Sequence, residues 1–189
     1  MDIIKIANYI WKNSKSLDFG NENEWNSKLF LEQWWRKKLG KDYEKYKSGW
    51  YWFTLNMTNK EIYDIKNPGN LPIKACNFRL TAHKNVKIFS NYLINKNNII
   101  YNGHDNNIKK RIRAHYALNN DKTSALGIKK YPLSKKSWKI SIFSEPTFDE
   151  KISEQDKQRI ITLMHSKIGR GAVESAWRTK YGWPILCKL

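Results

Sequence analysis

The residues best suited to chemistry lie in one short stretch of the chain, around Arg111. Arg111 carries a guanidinium whose planar fork matches two oxygens of a phosphate group, and His115 follows it four residues later on the same face of a predicted helix. Tyr101 ends a predicted strand that begins with Ile99 and Ile100. A phenol, a guanidinium and an imidazole held in this way could bind a phosphate group and transfer protons beside it.

A strand, a polar loop and a basic helix must follow one another closely to position these groups. Gly103 is expected to free the backbone where the strand turns, and Asn106 or Asn107 is expected to accept a hydrogen bond from the first amides of the helix. The helix has an apolar stripe about 100 degrees wide, formed by Ile108, Ile112 and Tyr116. Burying that stripe would leave Arg111 and His115 at its edge.

These residues resemble the second half of the signature of GIY-YIG nucleases, in which a catalytic arginine follows the glycine of a Tyr-x-Gly strand after eight residues, as Arg111 follows Gly103. The run Gly49-Trp50-Tyr51 resembles the first half. Short strands mixed with helices, without regular alternation, indicate an α+β fold. The resemblance implies, more narrowly, a small antiparallel β-sheet flanked by helices, and an endonuclease that hydrolyses the phosphodiester bonds of DNA.

The chain departs from the family pattern at several positions. Tyr51 and Tyr101 lie 50 positions apart, where family members have a short hairpin, so the resemblance requires an insertion at about residues 56–87. A competing register replaces Tyr51 by Tyr92, because residues 95–98 could form a tight turn, but only Tyr51 has a glycine two residues before it. His104 stands where many members have a lysine, and no asparagine follows Glu174 near the C-terminus.

The resemblance also implies a role for each candidate residue. Glu174 would hold a single Mg²⁺ or Mn²⁺ ion, since these hard cations prefer carboxylate, water and phosphate oxygens. Tyr51 would take a proton from the attacking water, and Arg111 would stabilise the charge on the phosphate in the transition state. Tyr101 and His115 would orient the water and the phosphate or share in proton transfer.

The charge of the chain favours a polyanionic partner. In 189 residues, Lys and Arg number 35 against 17 Asp and Glu, which gives a net charge of +18, part of it explained by a lysine-rich composition. Residues 101–140 hold ten basic and two acidic side chains, so the excess lies beside the candidate site. We expect double-stranded DNA as the partner. Its phosphates would be contacted by His104, Lys109, Lys110, Arg113, Lys129, Lys130, Lys135 and Lys136.

The chain divides into an added N-terminal element and a nuclease-like domain. Apolar residues recur at helical spacing from Ile3 to Trp11 and from Trp25 to Trp35, which predicts a helical extension over residues 1–48. Residues 49–189 would form the domain that resembles GIY-YIG nucleases, with predicted strands at 49–55, 99–101 and 138–142.

The last third of this domain is predicted to be helical. Ser153 is expected to cap a helix that Gly169 and Gly171 end, before a shorter helix that carries Glu174. The apolar side of the first helix would consist of Ile160, Ile161, Met164 and Ile168. The apolar tail at residues 181–186 is expected to pack against the domain.

Several broader expectations complete the prediction. Cys76 and Cys187 lie far apart in sequence and fit a reducing cytosol, and no apolar run approaches a membrane span of about 20 residues, so a cytoplasmic protein without a membrane partner is expected. A restriction or mobile-element nuclease is the leading hypothesis, and a homodimer would supply two sites for cutting both strands. The alternatives are a DNA-repair nuclease of the same family and a non-catalytic nucleic-acid-binding protein that retains the fold.

Overall fold

A five-stranded antiparallel sheet forms the centre of the described structure. The computed structural model describes residues 1–19, 28–65, 93–94, 97–117 and 125–187. The strands are β1 (Lys15–Phe19), β2 (Gly49–Leu55), β3 (Leu93–Ile94), β4 (Asn97–Asp105) and β5 (Trp138–Phe143). Their order across the sheet is β1-β5-β2-β4-β3, and every neighbouring pair is antiparallel.

Helices cover both faces of this sheet, which confirms the predicted α+β fold. They are α1 (Ile3–Lys12), α2 (Glu32–Leu39), α3 (Asn59–Tyr63), α4 (Ile108–Ala117), α5 (Glu154–His165) and α6 (Lys167–Tyr181). Short 3-10 helices occur at Gly40–Lys45, Ile128–Lys130, Pro132–Lys135 and Glu145–Thr147. None of the helices in the described ranges is long and apolar enough to cross a membrane.

The central strand β2 shows why the sheet is covered on both sides. All seven of its residues are buried. Successive side chains of a strand point to opposite faces, so Trp50 and Trp52 pack in the core beneath α1, α5 and α6, while Tyr51 and Phe53 pack in the core beneath α2 and α4. A seven-residue run without polar alternation is typical of a strand buried on both faces.

The N-terminal residues contribute to the sheet as well as to a helix. The predicted first helix is present as α1, and β1 then pairs with β5 at the edge of the sheet, an element that the polar sequence after α1 did not indicate. The second helix begins only at Glu32, after Phe30 adopts a left-handed backbone with φ of 59°. Trp25, which the periodicity placed in that helix, lies outside the described residues.

The break between α5 and α6 lies at Ser166, earlier in the chain than Gly169 and Gly171, where it was predicted. Ser166 ends α5 and caps α6, where its hydroxyl accepts a hydrogen bond from the Gly169 amide at 3.2 Å. Gly169 lies inside α6. A Cβ there would come within 2.6 Å of the Leu163 carbonyl oxygen, so the glycine permits the two helices to approach closely. Ile168 is 86% exposed and belongs to α6, so its predicted place on the apolar side of α5 is wrong.

The apolar tail packs down as predicted, and it covers one edge of β4. The Leu186 amide donates to the Ile100 carbonyl oxygen at 2.8 Å, and the Asn102 amide donates to Sγ of Cys187 at 3.4 Å. On the same edge, β3 pairs only with Asn97 and Asn98. The end of β4 beyond Asn102 is therefore the part of this edge that neither β3 nor the tail covers.

Most of the predicted insertion at residues 56–87, and Tyr92, lie outside the described residues.

Candidate functional site

A cleft of about 490 Å³ opens at this end of β4, between the sheet, α4 and α6. Its size is in the range of small-ligand pockets. Its lining consists of Tyr51, Tyr101, Gly103, His104, Asp105, Asn106, Arg111, Lys167, Arg170 and Glu174. Tyr51, Tyr101, Arg111 and Glu174 come from β2, β4, α4 and α6, and the predicted convergence of these four residues on one site is confirmed.

Gly103 allows the two tyrosines to lie over the backbone of β4. It pairs with Tyr51 across the sheet, and a Cβ at this position would lie 2.6 Å from the Tyr51 hydroxyl oxygen. The same Cβ would lie 3.1 Å from the ring of Tyr101. The prediction that Gly103 marks a turn is wrong, since β4 continues to Asp105. The absence of a side chain, rather than backbone freedom, is what the site requires here.

The turn into α4 follows one of the two predicted capping arrangements. The Asn107 side chain accepts a hydrogen bond from the Lys110 amide at 3.0 Å, and Asp105 accepts one from the Asn107 amide at 2.8 Å. These bonds satisfy amides at the start of α4 and fix where the helix leaves the strand. Arg111 is consequently held at the cleft, one turn into the helix.

His115 does not line the cleft but lies in the core beside Tyr51. The prediction that it stands at the edge of the apolar stripe is wrong, because His115 is completely buried against the rings of Phe53 and Tyr101. Its Nε2 lies 3.0 Å from the hydroxyl oxygen of Tyr51.

The hydrogen bonds of His115 define its tautomer. The Leu126 amide donates to Nδ1 at 3.3 Å, so Nδ1 is an acceptor. In the neutral ring Nε2 therefore carries the hydrogen and donates it to the Tyr51 oxygen. His115 thus holds the Tyr51 hydroxyl group in place from the side opposite the cleft.

Tyr51 and Arg111 influence each other's ionisation. Burial raises the pKa of Tyr51 well above its usual value, Tyr101 adds to the rise, and the charge of Arg111 opposes it. Burial lowers the pKa of Arg111, but the Tyr51 and Tyr101 hydroxyl groups outweigh this effect, and the pKa is raised overall. A hydrogen bond that Arg111 donates to the Tyr51 oxygen contributes to the rise. At neutral pH the cleft thus contains a neutral phenol beside a permanent guanidinium charge.

Glu174 lies in the cleft with one of its oxygens already engaged. Its Oε1 accepts a hydrogen bond from Nη2 of Arg178, one helical turn further along α6. Nε of Arg178 donates to Oδ1 of Asn102 at 2.9 Å, and the guanidinium lies 4.5 Å from the centroid of the Trp183 ring. Burial raises the pKa of the Glu174 carboxyl group, while Arg178 opposes this shift.

His104 faces the other oxygen of Glu174, with Nε2 3.4 Å from Oε2. Burial and the nearby charge of Arg170 lower the pKa of His104 to about 4. The imidazole is therefore neutral at pH 7, and this contact is not an ion pair there. A neutral histidine consequently lies in the cleft at the position where the resemblance predicts a lysine.

Only one oxygen of Glu174 is left that could hold a divalent cation. Oε1 is bound by Arg178, so Oε2 is the oxygen that could take this role. No group of three or more His, Cys, Asp or Glu side chains in the described part of the chain is arranged as a metal site. Such a donor set suits Mg²⁺ or Mn²⁺, which keep several water ligands and bind phosphate oxygens.

The predicted phosphate contacts are spread over more than one surface. Lys110 and Arg113 are exposed on α4. Lys109 is instead held by Tyr43, because its Nζ donates to the Tyr43 carbonyl oxygen at 2.5 Å and lies over the ring of the same residue. Lys129 is exposed, and Lys136 is exposed beside the end of β2 opposite the cleft, where Asn56 contacts Ser137. The side chains of Lys130 and Lys135 lie outside the described part.

Three cationic residues near Glu174 were missed by the sequence prediction. Lys167 and Arg170 line the cleft, and Arg178 binds Glu174. The four residues recur at intervals of three or four along α6, so they share one face of the helix. The helical spacing around Glu174 was the signal that could have identified them.

Comparison of the chain with models of known protein families, with curated proteins and with solved structures gave no match.

Proposed function

We propose that this protein is a metal-dependent endonuclease that hydrolyses phosphodiester bonds of double-stranded DNA. The observation that supports this most directly is the convergence of Tyr51, Arg111 and Glu174 on one cleft. The excess of basic over acidic residues, +18 overall, favours a polyanionic substrate. The resemblance to GIY-YIG nucleases rests on the same residues, now known to be close in space.

Each group in the cleft would have a distinct task. Arg111 would bind two oxygens of the scissile phosphate and stabilise the additional negative charge of the transition state. Tyr51 would accept a hydrogen bond from the attacking water, held in place by His115. To take the proton of that water, Tyr51 must first lose its own to solvent in the cleft, a step that the Arg111 charge favours and burial opposes. Tyr101, at the wall of the cleft, would restrict where the water and phosphate can lie.

Glu174 would hold the cation through Oε2, while Arg178 fixes the orientation of the carboxylate. When bound, Mg²⁺ or Mn²⁺ would supply positive charge to the phosphate oxygens and increase the acidity of a coordinated water. His104 would stay neutral beside the carboxylate and offer a nitrogen to substrate or water.

A plasmid assay tests this proposal. Supercoiled DNA is incubated with the purified protein and Mg²⁺ or Mn²⁺, and in parallel with Arg111→Ala, Glu174→Gln and the control Arg159→Ala, an exposed arginine of α5 that does not line the cleft. We expect cleavage by the wild type and the control, loss of about a hundredfold or more in the two site variants, and no cleavage in EDTA. Equal cleavage by all four proteins would contradict the proposal.

A non-catalytic DNA-binding protein is the second candidate. The ion pair between Glu174 and Arg178 favours it, because a neutralised carboxylate attracts a divalent cation less strongly. This candidate predicts salt-dependent DNA binding without strand cleavage in either metal. The same plasmid assay, combined with a gel-shift measurement of binding, separates the two functions.

The biological setting belongs to the proposal as well. We propose a restriction or mobile-element nuclease of the cytoplasm, with DNA repair as the competing role, and a homodimer as the form that cuts both strands. Light scattering with and without a DNA duplex would measure the oligomeric state. Sequencing the ends of cleaved plasmid would separate a fixed recognition sequence, typical of restriction, from cleavage at damaged or irregular DNA.

A further inference from the structure

Arg170 is a buried cation that the proposed chemistry does not use. Its side chain is 6% exposed, yet it contributes to the lining of the cleft. Nη1 donates to the Met164 carbonyl oxygen at 2.6 Å, whereas the buried Nε has no hydrogen-bond partner in the described part of the chain. The Arg170 carbonyl oxygen accepts a hydrogen bond from the Trp50 ring at 3.0 Å, which fixes the backbone. A buried guanidinium with spare hydrogen-bonding capacity at a cleft is costly without an anionic ligand.

The first turn of α6 brings further positive charge to the same wall. Lys167 is the exposed first residue of this fifteen-residue helix and lines the cleft. The Ser166 hydroxyl accepts a hydrogen bond from the Gly169 amide at 3.2 Å. The first helical hydrogen bond is donated by the Arg170 amide, so the amides of Lys167 and Ile168 have no carbonyl acceptor within the helix. The start of a helix carries a partial positive charge that favours phosphate.

Two carboxylates also line the cleft. Glu174 is paired with Arg178 and so offsets Lys167 and Arg170 less, whereas Asp105 accepts a hydrogen bond through Oδ1 from the neutral Asn107 amide. The wall formed by α6 therefore carries two cationic side chains, Lys167 and Arg170, in addition to the Glu174–Arg178 ion pair.

We propose that Arg170, Lys167 and the first turn of α6 bind a second phosphate group of the DNA strand, beside the phosphate that Arg111 contacts. This inference rests on the proposed function, because it takes DNA as the ligand of the cleft. Arg111 comes from α4 and Arg170 from α6, and both line the cleft, so the two cationic groups would contact the strand at two phosphates. Two points of contact fix the line along which the strand lies, which a single phosphate contact does not.

Binding measurements in EDTA test the proposal without any chemistry. The affinity for a fluorescent duplex is measured over a series of NaCl concentrations for the wild type, Lys167→Ala, Arg170→Gln and Arg170→Lys. The control is Lys151→Ala, which removes an exposed lysine outside the cleft. We expect Lys167→Ala and Arg170→Gln each to reduce the slope of log affinity against log salt by about 1, the loss of one phosphate contact. Arg170→Lys should retain most of the slope, and the control should retain all of it.

Melting temperatures show whether Arg170→Gln is folded. If it is not, Lys167→Ala decides the question, because its side chain is exposed and its loss leaves the fold intact. The proposal is overturned if Lys167→Ala binds with the same affinity and slope as Lys151→Ala. That result, obtained with an enzyme that cleaves plasmid, would reject this site alone. A reduced slope in a protein that does not cleave would reject the nuclease and leave the phosphate site standing.

Discussion

The hydroxyl oxygen of Tyr51 lies 3.0 Å from Nε2 of His115, and both side chains are buried. Because Nδ1 accepts a hydrogen bond from the Leu126 amide, the neutral imidazole carries its hydrogen on Nε2 and donates it to the Tyr51 oxygen. This contact joins the third residue of β2 to the third turn of α4.

Tyr51→Phe should fold and lose cleavage. The substitution keeps the ring in the core formed with Phe53 and Tyr101 and removes only the hydroxyl group. If Tyr51 accepts the proton of the attacking water, the rate should fall by about 10²- to 10⁴-fold. Because burial raises the pKa of this phenol well above 10, the wild-type rate should still be rising with pH at pH 9. A variant as active as the wild type, or a plateau near pH 7, would argue against this role.

His115→Leu should weaken both the fold and the site. It leaves the Tyr51 oxygen and the Leu126 amide without their imidazole partner, which typically costs about 1–3 kcal/mol of unfolding free energy for each buried polar group. His115→Gln offers an N–H group at nearly the same position as Nε2 and should recover part of the cleavage rate. Urea denaturation and plasmid cleavage measure the two effects. If glutamine and leucine reduce cleavage equally, a positioning role through Tyr51 is excluded.

Gly103→Ala should displace Tyr51. The new methyl group would lie 2.6 Å from the Tyr51 hydroxyl oxygen and 2.8 Å from Cζ of the ring, so the ring must move. We expect a loss of about 1–3 kcal/mol in unfolding free energy, as for other overpacked sites, together with loss of cleavage.

Gly171→Ala is the matched control for stability. The nearest atom to its new methyl group is Nε2 of His104, at an ordinary 3.7 Å. Replacing glycine inside a helix should stabilise the fold by up to about 1 kcal/mol. A Gly103→Ala protein as stable as Gly171→Ala would show that Tyr51 does not pack tightly against Gly103.

His104 should make the fold sensitive to mild acid. Its pKa is lowered to about 4 in the folded protein, below the usual 6.5, so the unfolded chain takes up a proton first as the pH falls. The stability that this group contributes is present above pH 6.5 and is lost as the pH falls toward 4. At pH 4.5 the loss should be about 2 to 3 kcal/mol.

The measurement compares urea denaturation of the wild type and His104→Gln at pH 7 and pH 4.5. The glutamine variant should lose less unfolding free energy on acidification than the wild type, by about the amount given above. Parallel losses in the two proteins would show that His104 titrates normally.

Arg178→Gln should strengthen metal binding at Glu174. The substitution removes the guanidinium that engages Oε1 and leaves a negative charge that a cation can neutralise. We expect Mn²⁺ to bind roughly tenfold more tightly, equivalent to about 1.4 kcal/mol, by electron paramagnetic resonance titration. Glu174→Gln should abolish the binding in either background. Unchanged Mn²⁺ affinity in Arg178→Gln would mean that the ion pair does not compete with the metal.

The sequence was a good guide wherever a local pattern determines structure. Apolar spacing correctly placed α1, α4 and the strands around Tyr51 and Ile140, because burial of one face follows from the periodicity of the element itself. It failed for β1, whose short polar sequence becomes a strand only because β5 provides a partner 120 residues away. Position 103 shows the same limit, since a glycine that permits a close contact and one that permits a turn look alike in sequence.

What the sequence by itself determined is the set of chemical groups, the strong positive charge and the elements that carry them, since these depend on residue type and on short spacings. The tertiary structure alone decided which groups meet. It buried His115 behind Tyr51, bound Glu174 to Arg178 and turned Arg170 toward the cleft. Those contacts depend on how β2, β4, α4 and α6 pack together, and packing between distant segments depends on shape and burial across the whole core, which no short stretch of sequence contains.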